Sequence, residues 1–83
     1  MSIGNLTYLQ KLDLDFNNLR GLPESIGNLT SLRELSLYDN KLESLPDSIE
    51  KLQSLQRLDI RNNEFRSFPL SLKELKNVKI SIR

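Results

Sequence analysis

The chain has 83 residues, neither Cys nor His, and a net charge of +1 from 12 basic and 11 acidic side chains. That length holds one small domain whose stability depends on efficient apolar burial; without Cys and His, disulfides, Ser–His or Cys–His nucleophile pairs and the usual zinc ligand sets are excluded. The charge balance gives no field for nucleic acid or an anionic membrane, and no apolar run is long enough to span a bilayer.

Taken in order, the chain is one unit repeated. Residues 3–25 and 26–48 are identical at 13 of 23 aligned positions, with Ile3, Ile26 and Ile49 marking the phase. Residues 49–71 keep every apolar position but use Ile60, Phe65 and Phe68 in place of Leu, and residues 72–83 begin a fourth copy. Within each copy a short stretch alternates in and out: Leu12-Asp13-Leu14, Leu35-Ser36-Leu37 and Leu58-Asp59-Ile60. That is strand periodicity. Each run is too short to stand alone, so one strand per repeat, stacked in parallel, is the arrangement that gives the inward Leu and Ile a common core. In the last copy Val78 and Ile80 are two apart where Leu9 and Leu12 are three apart, yet Ile80-Ser81-Ile82 still alternates. It is expected to form a fourth, edge strand, with Lys79 and Arg83 discouraging further pairing.

After each strand come an Asn (Asn17, Asn40, Asn63) and then a Pro (Pro23, Pro46, Pro69). Pro suits the start of a helical turn, and Asp47, Glu50 and Lys51 suit the dipole of a short convex helix over 46–54. Ile49, Leu52 and Leu55 run three apart, which favours a 3₁₀-like winding. Gly4 and Gly27 weaken helix, so the first two convex segments are expected to be less regular.

A period of 23 carrying Leu9-x-x-Leu12-x-Leu14-x-x-Asn17-x-Leu19, with equivalents from Leu32 and Leu55, resembles the leucine-rich repeat. The LPxxI ending at 22–26 and 45–49 resembles the class found in Ras-group and many bacterial leucine-rich repeat proteins. The resemblance implies an α/β solenoid over residues 1–83, with about four parallel strands on a concave face and short helical or 3₁₀ segments on the convex face. It also implies that the repeated Asn points inward and bonds adjacent turns as a ladder, and it implies roles in signalling scaffolds or host-facing interaction.

The outward strand residues then form columns. Lys11–Glu34–Arg57 alternates in sign between neighbours and is expected to continue to Lys79, and in Asp13–Ser36–Asp59–Ser81 the serines separate like charges. Stability accounts for both. The third column, Asp15–Tyr38–Arg61–Arg83, runs from acidic through aromatic to basic, with Phe16 beside it at the rim, and stability gives no reason for it.

The expected function is therefore a non-enzymatic scaffold that binds a protein partner across the concave sheet. Tyr38 is the anchor, Asp15 and Arg61 fix register by charge, Phe16 flanks them, and Arg57, Asp59 and Glu34 form the polar surround. The alternative is a structural fragment of a longer array with no binding surface of its own. No catalytic residue, metal or cofactor is expected, and neither nucleic acid nor membrane as partner. Met1-Ser2 leads straight into the repeat, so a cytoplasmic location is expected, with bacterial secretion lacking a signal peptide as the other route. Uncapped repeat ends predict self-association. The sequons Asn5-Leu6-Thr7 and Asn28-Leu29-Thr30 arise from the repeat consensus itself.

Overall fold

The computed structural model of the chain describes residues 7–82. Expectations resting on Ile3, Gly4, Asn5 and Arg83 lie outside that range. Four strands, β1 (Lys11–Asp13), β2 (Glu34–Ser36), β3 (Arg57–Asp59) and β4 (Lys79–Ser81), form one parallel sheet in sequence order. Its register is Lys11↔Glu34↔Arg57↔Lys79 and Asp13↔Ser36↔Asp59↔Ser81, so the first two columns stand as read from the sequence. The paired segments begin one residue before the alternating triplets. Ladder hydrogen bonds run on beyond them, from Leu14 N to the Ser36 carbonyl and from Leu37 N to the Asp59 carbonyl.

Three 3₁₀ turns, Glu24–Asn28, Asp47–Lys51 and Leu70–Glu74, line the opposite side. Their winding follows from the apolar spacing: Ile26 N bonds the Pro23 carbonyl, Leu29 N the Ile26 carbonyl and Leu32 N the Leu29 carbonyl. Bonds from residue i+3 to i bring residues three apart into line, so Ile26, Leu29 and Leu32 all face the core, and each is fully buried. Pro46 lies just ahead of its turn rather than in its first position. It is extended at φ −67°, ψ 151°, and its carbonyl accepts the first bond of the turn.

The turn containing Gly27 is as long as the others, against the expectation of irregularity. A Cβ at Gly27 would lie 2.6 Å from the Ser48 carbonyl oxygen and 2.7 Å from Ser48 Cβ. Gly27 is thus a point of close approach between coils. Beside it the Ser48 hydroxyl, itself buried, donates to the Glu24 carbonyl at 2.6 Å.

Leu29, Leu32, Leu35, Leu37, Leu42, Leu52 and Leu58 are buried in the middle coils, while Leu9, Leu12, Leu14, Leu19 and Leu22 of the first are only partly covered. Each fully buried Leu contributes roughly 1.5–3 kcal/mol. The residue missing from the last copy is absorbed before β4. Leu75 is extended at ψ 131° where Leu29 and Leu52 have ψ 62° and 68°, and Asn77 takes φ 60°.

The asparagines bond backwards. Asn40 Oδ1 accepts from Asn17 N and Leu19 N, both at 3.0 Å, and Nδ2 donates to the Leu14 carbonyl at 3.0 Å and the Leu37 carbonyl at 3.1 Å. Asn63 repeats this one coil later, donating to the Leu37 carbonyl at 2.8 Å and accepting from Leu42 N at 3.1 Å. Asn17 departs from the inward ladder. It is exposed, and among the described residues its amide bonds only the Asp15 carbonyl two residues away. The amide ties each coil to the one before it.

Two stability predictions follow from these contacts. Asn40→Ala removes partners from buried backbone groups in two coils and should cost about 3 kcal/mol or more, whereas Asn17→Ala should stay within about 0.5 kcal/mol. Denaturant midpoints that fall equally for both would contradict a backward ladder. Gly27→Ala should cost roughly 1–3 kcal/mol, because backbone must move to admit the methyl. Gly21→Ala, which meets nothing within 4 Å, is its control; thermal unfolding of the two variants makes the comparison.

Candidate binding face

The concave face is built from alternate strand residues and from the turn that follows each strand. Between β2, β3 and β4 lies an open groove of about 320 Å³ lined by Glu34, Ser36, Arg57, Asp59, Lys79 and Ser81 above Leu35 and Leu58. Three of the expected site residues, Glu34, Arg57 and Asp59, line it together. The other four, Asp15, Phe16, Tyr38 and Arg61, gather along one edge, just past the strands.

That edge has a structural basis that corrects the sequence reading. One oxygen of Asp15 accepts from the Ser36 hydroxyl at 2.6 Å and from Tyr38 N at 2.8 Å. Asp15 is therefore a clasp between the first two coils, not a free charge. The second column also carries more than charge spacing. Asp13 Oδ1 accepts from Asp15 N at 2.9 Å and Asp59 Oδ1 from Arg61 N at 3.0 Å, each closing its own turn. In the middle coil the equivalent residue is Ser36, which turns to Asp15 instead.

Arg61 is likewise engaged. Its guanidinium grips Asp59 through two bonds, Nε to Oδ1 at 2.9 Å and Nη2 to Oδ2 at 2.8 Å. The bonds from Arg61 hold the Asp59 carboxyl below its ordinary value against a smaller opposing effect of burial, and the same pairing raises Arg61. Arg61 is thereby fixed over the Tyr38 ring, 5.0 Å from its centroid. On the other side Phe16 meets Tyr38 edge to face, with centroids 5.3 Å apart and planes at 89°. Tyr38 is half-buried between these neighbours. Phe16–Tyr38–Arg61 is thus one stacked row across three coils.

Phe16 itself is 67% exposed and takes φ 59°. The equivalent residues are Asp39 at φ 60° and Asn62 at φ 57°, types that accept left-handed backbone and that here bond each other, Asn62 Nδ2 to Asp39 Oδ1 at 2.8 Å. A bulky Phe in that conformation is unusual, and its side chain gains little burial there beyond its edge contact with Tyr38. Aligning the repeats held the signal, since Phe16 occupies a position that the other copies give to Asp and Asn. Sequence reasoning placed Lys79 next to Arg57 in that column, as the register bears out, but overlooked the sign of the pair. That pair is like-charged, so alternation of sign explains the first column only as far as Arg57.

Among the described residues no group of three or more His, Cys, Asp or Glu side chains is placed to hold a metal, and no helix is long and apolar enough to cross a membrane. Residues 1–79 match the family model described as a leucine-rich repeat region. Among solved structures the chain is similar to a leucine-rich repeat protein of Leptospira interrogans, at 41% identity and a TM-score of 0.88. The likeness covers 94% of this chain and 20% of that one, so the chain spans about a fifth of that protein's length. Comparison with curated proteins gives no match.

The Arg61–Asp59 grip sets a direction for pH. A carboxyl held below its ordinary 3.8 contributes stability in full above that value and loses it as pH falls through the lower, folded-state value. In a carboxyl-detected NMR titration Asp59 should titrate below 3.8, and Arg61→Gln should bring it back toward 3.8. A midpoint indifferent to Arg61→Gln would show that the grip does not persist in solution.

Proposed function

We propose that this chain, which belongs to the leucine-rich repeat family, is a non-enzymatic scaffold that binds a protein partner across its concave sheet. The observation that carries this reading is the row Phe16–Tyr38–Arg61. Its outer member is a largely exposed aromatic on left-handed backbone, a conformation that costs free energy and is repaid only in part by its contact with Tyr38. Its inner members are held rigid by Asp15, Asp59 and one another. Rigid Tyr and Arg beside an exposed aromatic are the residue types and arrangement in which binding energy concentrates. The open groove beside them offers width for a polypeptide and no enclosed, water-free site for chemistry.

The alternative, coils that only extend a longer array, draws support from the Leptospira likeness, in which a stretch of this size is a fifth of a larger chain. Mutation separates the two readings. For a partner captured with the wild-type chain, Tyr38→Ala should cost about 2 kcal/mol or more of affinity and about 1 kcal/mol of stability through the lost aromatic pair. Lys51→Glu, on the convex 3₁₀ turn, should do neither. Calorimetric titration of both variants decides. Unchanged affinity for Tyr38→Ala with a loss at Lys51→Glu would move the surface to the convex side.

A further inference from the structure

The first concave column reads plus, minus, plus, plus. Lys11 and Glu34 pair at 3.4 Å, which leaves Arg57 and Lys79 side by side in register on β3 and β4. Both are exposed, and among the described residues neither forms an ion pair. Adjacent strands are about 4.8 Å apart, and like charges directly opposite each other destabilise a sheet. Fold stability therefore gives no reason for this pair. The pair sits on the wall of the groove, with the Ser36 and Ser81 hydroxyl-bearing side chains beside it.

We propose, building on the concave-face reading above, that Arg57 and Lys79 seat a carboxylate of the partner, and that the partner segment is an extended acidic peptide. An anion between the two cations converts mutual repulsion into two charge-assisted bonds. The remaining charges of the face restrict which anion fits. Glu34, Asp13 and Asp59 lie on the same surface, with Glu34 and Asp59 already paired. A polyphosphate backbone laid along the groove meets those carboxylates and finds, among the described residues lining the groove, this one unpaired cationic couple, whereas a single carboxylate avoids them. Tyr38 lies four residues along the strand direction from Glu34, the β2 neighbour of Arg57, so it is about 14 Å from Arg57 at roughly 3.3 Å per residue and about 4.8 Å per strand. An extended peptide spans the same distance in about four residues. The recognised segment thus carries Asp or Glu on Arg57 and Lys79, and an aromatic or large apolar side chain about four residues away on Phe16 and Tyr38.

The test is selection of a random peptide display library on the 83-residue chain, followed by titration of the enriched peptides against variants. Enriched sequences should carry a carboxylate about four residues from an aromatic or large apolar residue. Lys79→Glu should weaken them at least about tenfold, while its unfolding midpoint holds or rises, because an opposite-charge pair replaces a like-charge one. Arg57→Gln should weaken them in the same direction. Enrichment of peptides without a carboxylate, or equal binding by Lys79→Glu, overturns the seat. If Tyr38→Ala still abolishes that binding, the concave reading survives the loss of the seat; if it too binds like wild type, both readings fall. A short oligothymidylate that binds more tightly than the acidic peptides, and is lost with Lys79→Glu, assigns the cations to phosphate and also overturns the proposal.

Discussion

A three-residue strand buries almost nothing by itself, and every other feature of this molecule depends on that constraint. Leu35 is fully covered because Leu12 and Leu58 lie in register on either side of it and because Leu32 and Leu37 close the same coil. The core is therefore a property of neighbours, and it is deepest in the middle coils. The same constraint governs polar groups. Backbone that leaves the strand for the convex side exposes amides and carbonyls to an apolar interior, and Asn40 satisfies four of them across two coils. At Asn17, among the described residues, the identical side chain has only a local bond.

Tight stacking also sets which residue types the convex side accepts. Gly27 lies where two coils approach too closely for a methyl group, and Ser48 completes the contact with a bond to the Glu24 carbonyl. Helix propensity points the wrong way at such a position. In a turn of five residues it contributes little, and the steric limit imposed by the next coil dominates.

On the concave face, some charges are bound into the fold and others are not. Asp15 and Asp59 look alike in sequence to any acidic surface residue, yet one clasps the next coil and the other closes its own turn and grips Arg61. These bonds hold Tyr38 in place and so make its surroundings rigid. What remains is Phe16, largely exposed at one edge against Tyr38, and the Arg57–Lys79 couple, which forms no ion pair among the described residues, and our functional readings rest on those two features.

The 23-residue period, the strand positions, the fourth strand with its missing residue and the 3₁₀ winding were all legible in the sequence, because each follows from apolar spacing along the chain. The first two columns were legible for the same reason, since a fixed period fixes the register. Sequence alone could not say that Asp15 reaches Ser36, that Arg61 turns to Asp59 rather than to a partner, or that Gly27 abuts Ser48. Those facts depend on side-chain direction and on distances between residues about 20 positions apart, which a pattern of types does not encode. The backbone at Phe16 lies between the two cases. Comparison of the repeats marked the residue as odd, but only the folded turn, with φ at 59°, gave the oddity its physical meaning.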